Sequence, residues 1–341
     1  MEALLEVKNL SVVIRHTGNR LLSSVEDISF DIFPGEILGI VGESGAGKSL
    51  TALSIARLLD DGKEVTGSVF FAGNETGVSF REDPSGVKTA ARDLLSLSEK
   101  ELEAIRGKDI SMIFQEPFSS LNPLVKIGAQ IAETLELHGE KNKSGIRTRV
   151  RELLEKLKLP EPEKLMNTCP HRLSGGMCQR VMIALAVICR PRLLIADEPT
   201  TALDQHTQSQ IIDLLKEINR DFGTSLLVIS HDLPLVKSLC NRVLVMYAGR
   251  ILEEGNTDEV FCHPAHEYTR GLLGCIPTRA NRGKALAVIP GKIPSLEEGR
   301  PSGCPFHPRC EKAGPDCKRE FPEARLVAVN HMTRCVLWEE K

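Results

Sequence analysis

The spacing of apolar and polar positions divides the chain into a β-rich start, a core of alternating strands and helices, and a weakly periodic tail. Leu4–Val7 and Ser11–Ile14 read as strands, and Ile28–Ile32 alternates apolar and polar as a half-buried strand does. Pro34-Gly35 marks a turn. Ile37–Val41 is a continuous apolar run, the pattern of a strand buried on both faces. The pattern then predicts a helix over Ser49–Leu59, a strand at Val69–Phe71, and a polar surface insertion over Asn74–Ala91. Leu97–Arg106 reads as a helix and Ile110–Phe114 as a strand. From about Pro117 to Cys189 the period is helical, interrupted at Pro160, Pro162 and Pro170. Leu193–Ala196, Ser225–Ile229 and Arg242–Met246 are further strands, with a helix at Thr207–Phe222 between the first two. Such alternation predicts an α/β core with a parallel sheet, carrying a helical insert over 117–189 and preceded by an antiparallel β subdomain.

Composition narrows the class. The chain has 341 residues, with 41% hydrophobic and 26% charged, ordinary values for a soluble protein with a sizeable core. Its longest nearly apolar runs, Met182–Cys189 and Leu193–Ala196, are shorter than the roughly 20 residues a membrane span requires. Met1-Glu2-Ala3 leads straight into a strand pattern with no signal-peptide character, so a cytosolic location is expected. A net charge of −3 and no long basic run argue against a nucleic-acid partner. Six of the ten cysteines, Cys169, Cys178, Cys189, Cys240, Cys262 and Cys275, are scattered and read as ordinary thiols.

The chemistry lies in three motifs. Gly42-Glu43-Ser44-Gly45-Ala46-Gly47-Lys48-Ser49, followed by Leu50, satisfies G-x-x-x-x-G-K-[ST] between a predicted strand and a predicted helix. Its glycines let backbone amides turn toward phosphate oxygens, Lys48 reaches the β- and γ-phosphates, and Ser49 ligates Mg²⁺. Arg192–Glu198 is an apolar strand ending in two carboxylates; Asp197 is placed to hold Mg²⁺ and Glu198 to act as general base on the attacking water. Ser174-Gly175-Gly176 opens a helix with a good N-cap and exposed amides, a second anion site that makes sense if it meets a nucleotide held by a partner.

With these motifs in this order, residues 1–260 resemble the ATP-binding subunits of ABC transporters. The further motifs of that resemblance are Gln115 in Ile113-Phe114-Gln115-Glu116-Pro117, the run Ala202-Leu203-Asp204, and His231 in Ser230-His231-Asp232. The resemblance implies that Gln115 senses Mg²⁺ and water and links to membrane subunits, that Asp204 communicates with the opposite site, and that His231 holds the γ-phosphate. It departs from the family at two positions. Met177 ends the Leu173–Met177 turn where Gln is common, and Ile14 stands where an aromatic ring usually stacks on adenine. An aliphatic contact there forgoes about 1 kcal/mol of aromatic gain and leaves both adenine and guanine open.

Phe114–Pro123, His263–Leu273 and Gly303–Cys310 resemble the dipeptide/oligopeptide importer branch. That branch implies a separate tail over 261–341. Cys304, Cys310, Cys317 and Cys335 are spaced C-x5-C-x6-C-x17-C, which is not zinc-finger spacing. A 4Fe–4S cluster, zinc and free thiols are all readings of this set; the branch resemblance favours the cluster, as a structural staple. The implied protein is an ATPase of a peptide importer, working on ATP with Mg²⁺ on the cytoplasmic side of the membrane. Its implied partners are a second ATPase subunit in a heterodimer, two transmembrane permease subunits and, through them, an extracytoplasmic peptide-binding protein. Rival readings keep the ATPase but change its cargo to nickel, another metal chelate or a sugar oligomer, or make it a soluble ABC ATPase outside transport.

Overall fold

The computed structural model describes residues 2–15, 21–72, 80–82, 88–201, 203–277, 283 and 287–338. In chain order its strands are β1 (Leu5–Arg15), β2 (Leu21–Ile32), β3 (Ile37–Val41), β4 (Lys63–Ala72), β5 (Phe80–Glu82), β6 (Lys88–Asp93), β7 (Ile110–Ile113), β8 (Leu193–Asp197), β9 (Ser225–Ser230), β10 (Arg242–Tyr247), β11 (Arg250–Asn256), β12 (Arg325–Ala328) and β13 (His331–Thr333). Its helices are α1 (Lys48–Ile55), α2 (Glu99–Ile105), α3 (Pro117–Ser120), α4 (Ile127–Leu137), α5 (Lys143–Lys156), α6 (Pro162–Met166), α7 (Gly175–Val187), α8 (Gln205–Phe222), α9 (Leu233–Leu239), α10 (Thr257–Cys262) and α11 (Glu267–Gly274). Contacts divide the chain into two compact units. The first holds 1–33, 37–95 and 229–341; the second holds 34–36 and 96–228.

In the first unit an antiparallel sheet runs β2-β1-β4-β6-β5. Leu4–Val7 and Ser11–Ile14 join as one strand, because Asn9 takes a left-handed turn (φ 48°) inside β1 and the pairing resumes beyond it. The expected insertion Asn74–Ala91 falls partly outside the described residues; its described parts belong to the short antiparallel pair β5 and β6, which extends the sheet beyond β4. The unit's other strands follow the order β12-β13-β11-β10-β3. β3 pairs parallel with β10, and all five of its residues are buried. A side chain at Gly39 would come within 2.9 Å of Val236 on α9, so this strand and helix pack closely. The tail strands add to the free edge of β11.

The second unit pairs β7 parallel with β8, with Ile113 opposite Ala196. Between these strands run α3 to α7, as the helical period and its prolines predict. α8 buries Ile211, Leu214, Leu215 and Ile218, a stripe at i, i+3, i+4 and i+7. Each such side chain contributes roughly 1.5–3 kcal/mol by leaving water. Asp204 caps the start of α8 through the Thr207 N–H, and Gly223 ends it in the left-handed region. Among the described residues no helix is long and apolar enough to cross a membrane.

Candidate nucleotide site

The phosphate loop of the first unit is shaped by close backbone contacts. A Cβ at Gly42 would lie 2.1 Å from the Met246 carbonyl oxygen, and Gly47 enters α1 at φ 100°, so neither position admits a side chain without displacement. The Ala46 N–H donates to the Glu43 carbonyl (3.2 Å), and the Gly249 N–H to the Ala46 carbonyl (2.8 Å). Ser44 and Gly45 form the exposed tip; Ser49 and Leu50 are half-buried at the start of α1. The Lys48 ammonium is buried and folds over the loop, donating to the carbonyls of Gly42 (2.9 Å) and Glu43 (3.0 Å). The loop is thereby held as a ring around its own lysine, the arrangement that presents amides and one cation to a phosphate. In the same unit, exposed His231 follows β9, where Asp232 caps α9 through the Leu235 N–H. Ile14 is half-buried on β1, opposite Leu22 and Lys63.

In the second unit, register places the candidate base. Because Ile113 is opposite Ala196, two further residues bring Gln115 level with Glu198. The Gln115 Nε2 donates to Glu198 Oε2 (3.2 Å), and the Thr201 hydroxyl donates to the same oxygen (2.7 Å). Thr201 has no motif role at the sequence level; its spacing three residues after Glu198 was the available signal. Glu198 itself has φ 47°, a left-handed conformation that costs about 1–3 kcal/mol and concentrates at functional positions. Asp197 closes β8 and is buried. Ser174 caps α7 by accepting from the Met177 N–H (3.4 Å), which fixes Met177 in the first turn. A Cβ at Gly176 would come within 2.9 Å of Thr207, which itself donates to Asp204. The glycine turn and the Asp204 loop are therefore neighbours. The Thr207 hydroxyl bond holds the Asp204 carboxyl below the usual carboxylate range. Ala202 lies outside the described residues.

The chain matches the ABC transporter family over residues 25–201 and the oligopeptide/dipeptide transporter C-terminal region over 252–317. It is 44% identical to the oligopeptide transport ATP-binding protein OppD of Haemophilus influenzae, covering all of this chain and 99% of that protein. AppD of Bacillus subtilis, an oligopeptide transport ATP-binding protein, is 42% identical, with 100% and 98% covered. The chain belongs to the ABC transporter ATP-binding family. Its fold is similar to the dimeric ATP-binding cassette MJ0796, solved in a post-hydrolysis state with ADP and Pi. That likeness has a TM-score of 0.60 at 28% identity and covers 74% of this chain and 98% of the cassette. An ABC ATPase works on ATP with Mg²⁺.

Beyond the part this family shares, the tail gathers its four cysteines. Cys304, Cys317 and Cys335 are buried and Cys310 half-buried. Burial pushes the Cys304 thiol up to about 12, and charge on Cys335, Cys317 and Cys310 raises it further. Burial likewise raises Cys310 and Cys335, and the charges of Glu267 and Cys317 add to both. Among the described residues, however, no three His, Cys, Asp or Glu side chains stand close enough to hold a metal ion. His266 brings its Nε2 to 3.7 Å from the Cys304 sulfur; burial pulls its pKa down to about 4, so the ring stays neutral at physiological pH.

Proposed function

We propose that this chain is the ATP-hydrolysing subunit of a peptide importer. The observation that carries this is a likeness to oligopeptide transport ATP-binding proteins that runs the whole length, tail included. We assign 1–260 to the ATP-binding domain and 261–341 to the tail. Bound Mg²⁺-ATP supplies the phosphoanhydride bond whose cleavage drives the cycle. Gly42 to Leu50 bind the phosphates; Lys48 exchanges its two loop carbonyls for phosphate oxygens, and Ser49 and Asp197 hold Mg²⁺. Glu198 takes a proton from the attacking water, while Gln115 and Thr201 orient its carboxylate. His231 steadies the γ-phosphate, and Ile14 gives the base an aliphatic contact.

Ser174–Gly176 and Asp204 serve the nucleotide of a second ATPase subunit, which we read as a sister chain in a heterodimer. Phe114, Phe118 and Leu124, 41%, 56% and 87% exposed, are large apolar side chains within nine residues of Gln115 that suit docking on transmembrane permease subunits, with an extracytoplasmic peptide-binding protein acting through them. The chain then works peripherally on the cytoplasmic face of the membrane. Glu198→Gln is expected to keep ATP binding and lose phosphate release; near-normal hydrolysis would remove Glu198 as the base. Peptide uptake by a strain lacking this chain should return on complementation, and uptake of nickel or an oligosaccharide in its place would replace the cargo.

We also read Cys304, Cys310, Cys317 and Cys335 as ligands of a 4Fe–4S cluster. An all-thiol, largely buried set has the donor chemistry such a cluster uses. Protein prepared anaerobically should be coloured and contain iron; colourless, iron-free protein would exclude the cluster.

A further inference from the structure

The tail reaches the phosphate loop through one side chain. Arg309 lies in the Cys304–Cys310 loop, and its side chain is only 6% exposed. Its Nη1 donates to both carboxylate oxygens of Glu43, at 3.0 and 3.1 Å, and lies 3.3 Å from the Tyr247 hydroxyl. The rest of the guanidinium is held by tail backbone, Nε on the Pro290 carbonyl (2.7 Å) and Nη2 on the Ile289 carbonyl (3.3 Å). Every edge of the fork is thus used. Glu43 is pinned a second time, because its N–H donates to the buried Tyr268 hydroxyl (2.9 Å). Tyr268, Tyr247 and Phe306 pack as an aromatic cluster with ring centroids 4.7–5.4 Å apart, and Phe306 is itself flanked by the tail's Cys304.

Glu43 is an acidic residue directly after Gly42, inside a loop that receives a polyphosphate. Its carbonyl also holds Lys48. An uncompensated carboxylate there repels the ligand, and a loose one lets the loop backbone move. We propose that Arg309 is a positioning residue for the phosphate loop: the tail supplies the cation that neutralises and anchors Glu43, so the tail sets nucleotide affinity. This rests on the reading of Gly42–Leu50 as a nucleotide site.

The test is titration of the purified full-length chain with a fluorescent Mg-ATP analogue. Arg309→Met should weaken binding about tenfold, the order of one half-buried charge left unpaired beside phosphate. The double variant Glu43→Gln/Arg309→Met should bind more tightly than Arg309→Met alone, because the stranded charge is gone. Binding by Arg309→Met equal to the wild type overturns the proposal. So does a double variant as weak as the single one, which would mean the arginine acts only through tail packing. Where Arg309→Met does not fold, Arg309→Lys keeps the charge and loses the fork; weakening of about threefold supports the role and unchanged binding overturns it. A wild-type chain that binds no nucleotide at all would instead fail the nucleotide-site reading, a result the control shows before any variant is compared.

Discussion

The phosphate loop and the Cys-bearing tail meet at Glu43, yet they are built by different rules. The loop is contiguous: eight residues, two of them glycines at positions a side chain cannot occupy, wrap a lysine that belongs to the same motif. The tail has short strands and 3-10 turns, and partners far along the chain hold it. Buried Glu253 on β11 accepts from the N–H groups of Ala265 (2.6 Å) and His266 (2.9 Å) and pairs with His331 Nε2 (2.7 Å), tying the segment after α10 and the tail strand β13 to one carboxylate. A buried carboxylate is tolerable only with such donors. The loop thus takes its shape from backbone conformation, whereas the tail takes its shape from long-range polar and aromatic contacts.

Substitutions can break or sharpen this contrast. The largest effect is expected at Glu198: replacement by Gln should lower phosphate release by about 10²–10⁴-fold with the fold intact, measured by steady-state hydrolysis and by thermal unfolding. Next is Gly42→Ala, where the added methyl meets a backbone carbonyl that cannot swing aside. A stability loss of about 2–3 kcal/mol in denaturant titration is expected, together with loss of nucleotide binding. A neutral outcome would mean that the loop is not held by its backbone.

Phe306→Ala probes the tail in the same titration. Phe306 is buried against Tyr247 and Tyr268, so a loss of about 3 kcal/mol is expected. By contrast, Phe118→Ala, at an exposed position, should leave stability within about 0.5 kcal/mol and impair assembly with permease subunits in a pull-down.

The smallest effect concerns thiols other than the tail's set of four. Burial pushes Cys240 up to about 12 from an ordinary 9.0. Because the folded pKa is the higher one, the stability gained by keeping this thiol neutral is present below about pH 9 and is lost as pH rises toward about 12. At pH 8, iodoacetamide should label exposed Cys262 well before Cys240, as read by mass spectrometry. Equal labelling would mean that α9 opens from β3 readily.

How much was legible follows the same division. The strands at Ile37–Val41 and Leu193–Ala196, the helices of 117–189 and α8 all carry their pattern in neighbouring residues, and the structure places them within a few positions of the expected bounds. β11, α10 and α11 were not legible, since their short polar-rich stretches take their conformation from what they pack against. Gln115 and Glu198 were visible as separate motifs; their hydrogen bond follows from the parallel register of β7 and β8. Tyr268 and Arg309 carried no local signal of their contacts.

The sequence by itself determined that a phosphate loop, a carboxylate-ended strand and a glycine turn are present, because each is encoded by adjacent residue types and the conformations they permit. Only the tertiary structure decided which residues hold those motifs in place. Arg309 lies 266 residues from Glu43, and no short-range periodicity records a partner at that distance. That pairing exists because strand addition at the β11 edge and aromatic packing around Phe306 carry the tail to the loop, where two opposite charges are only partly exposed to water.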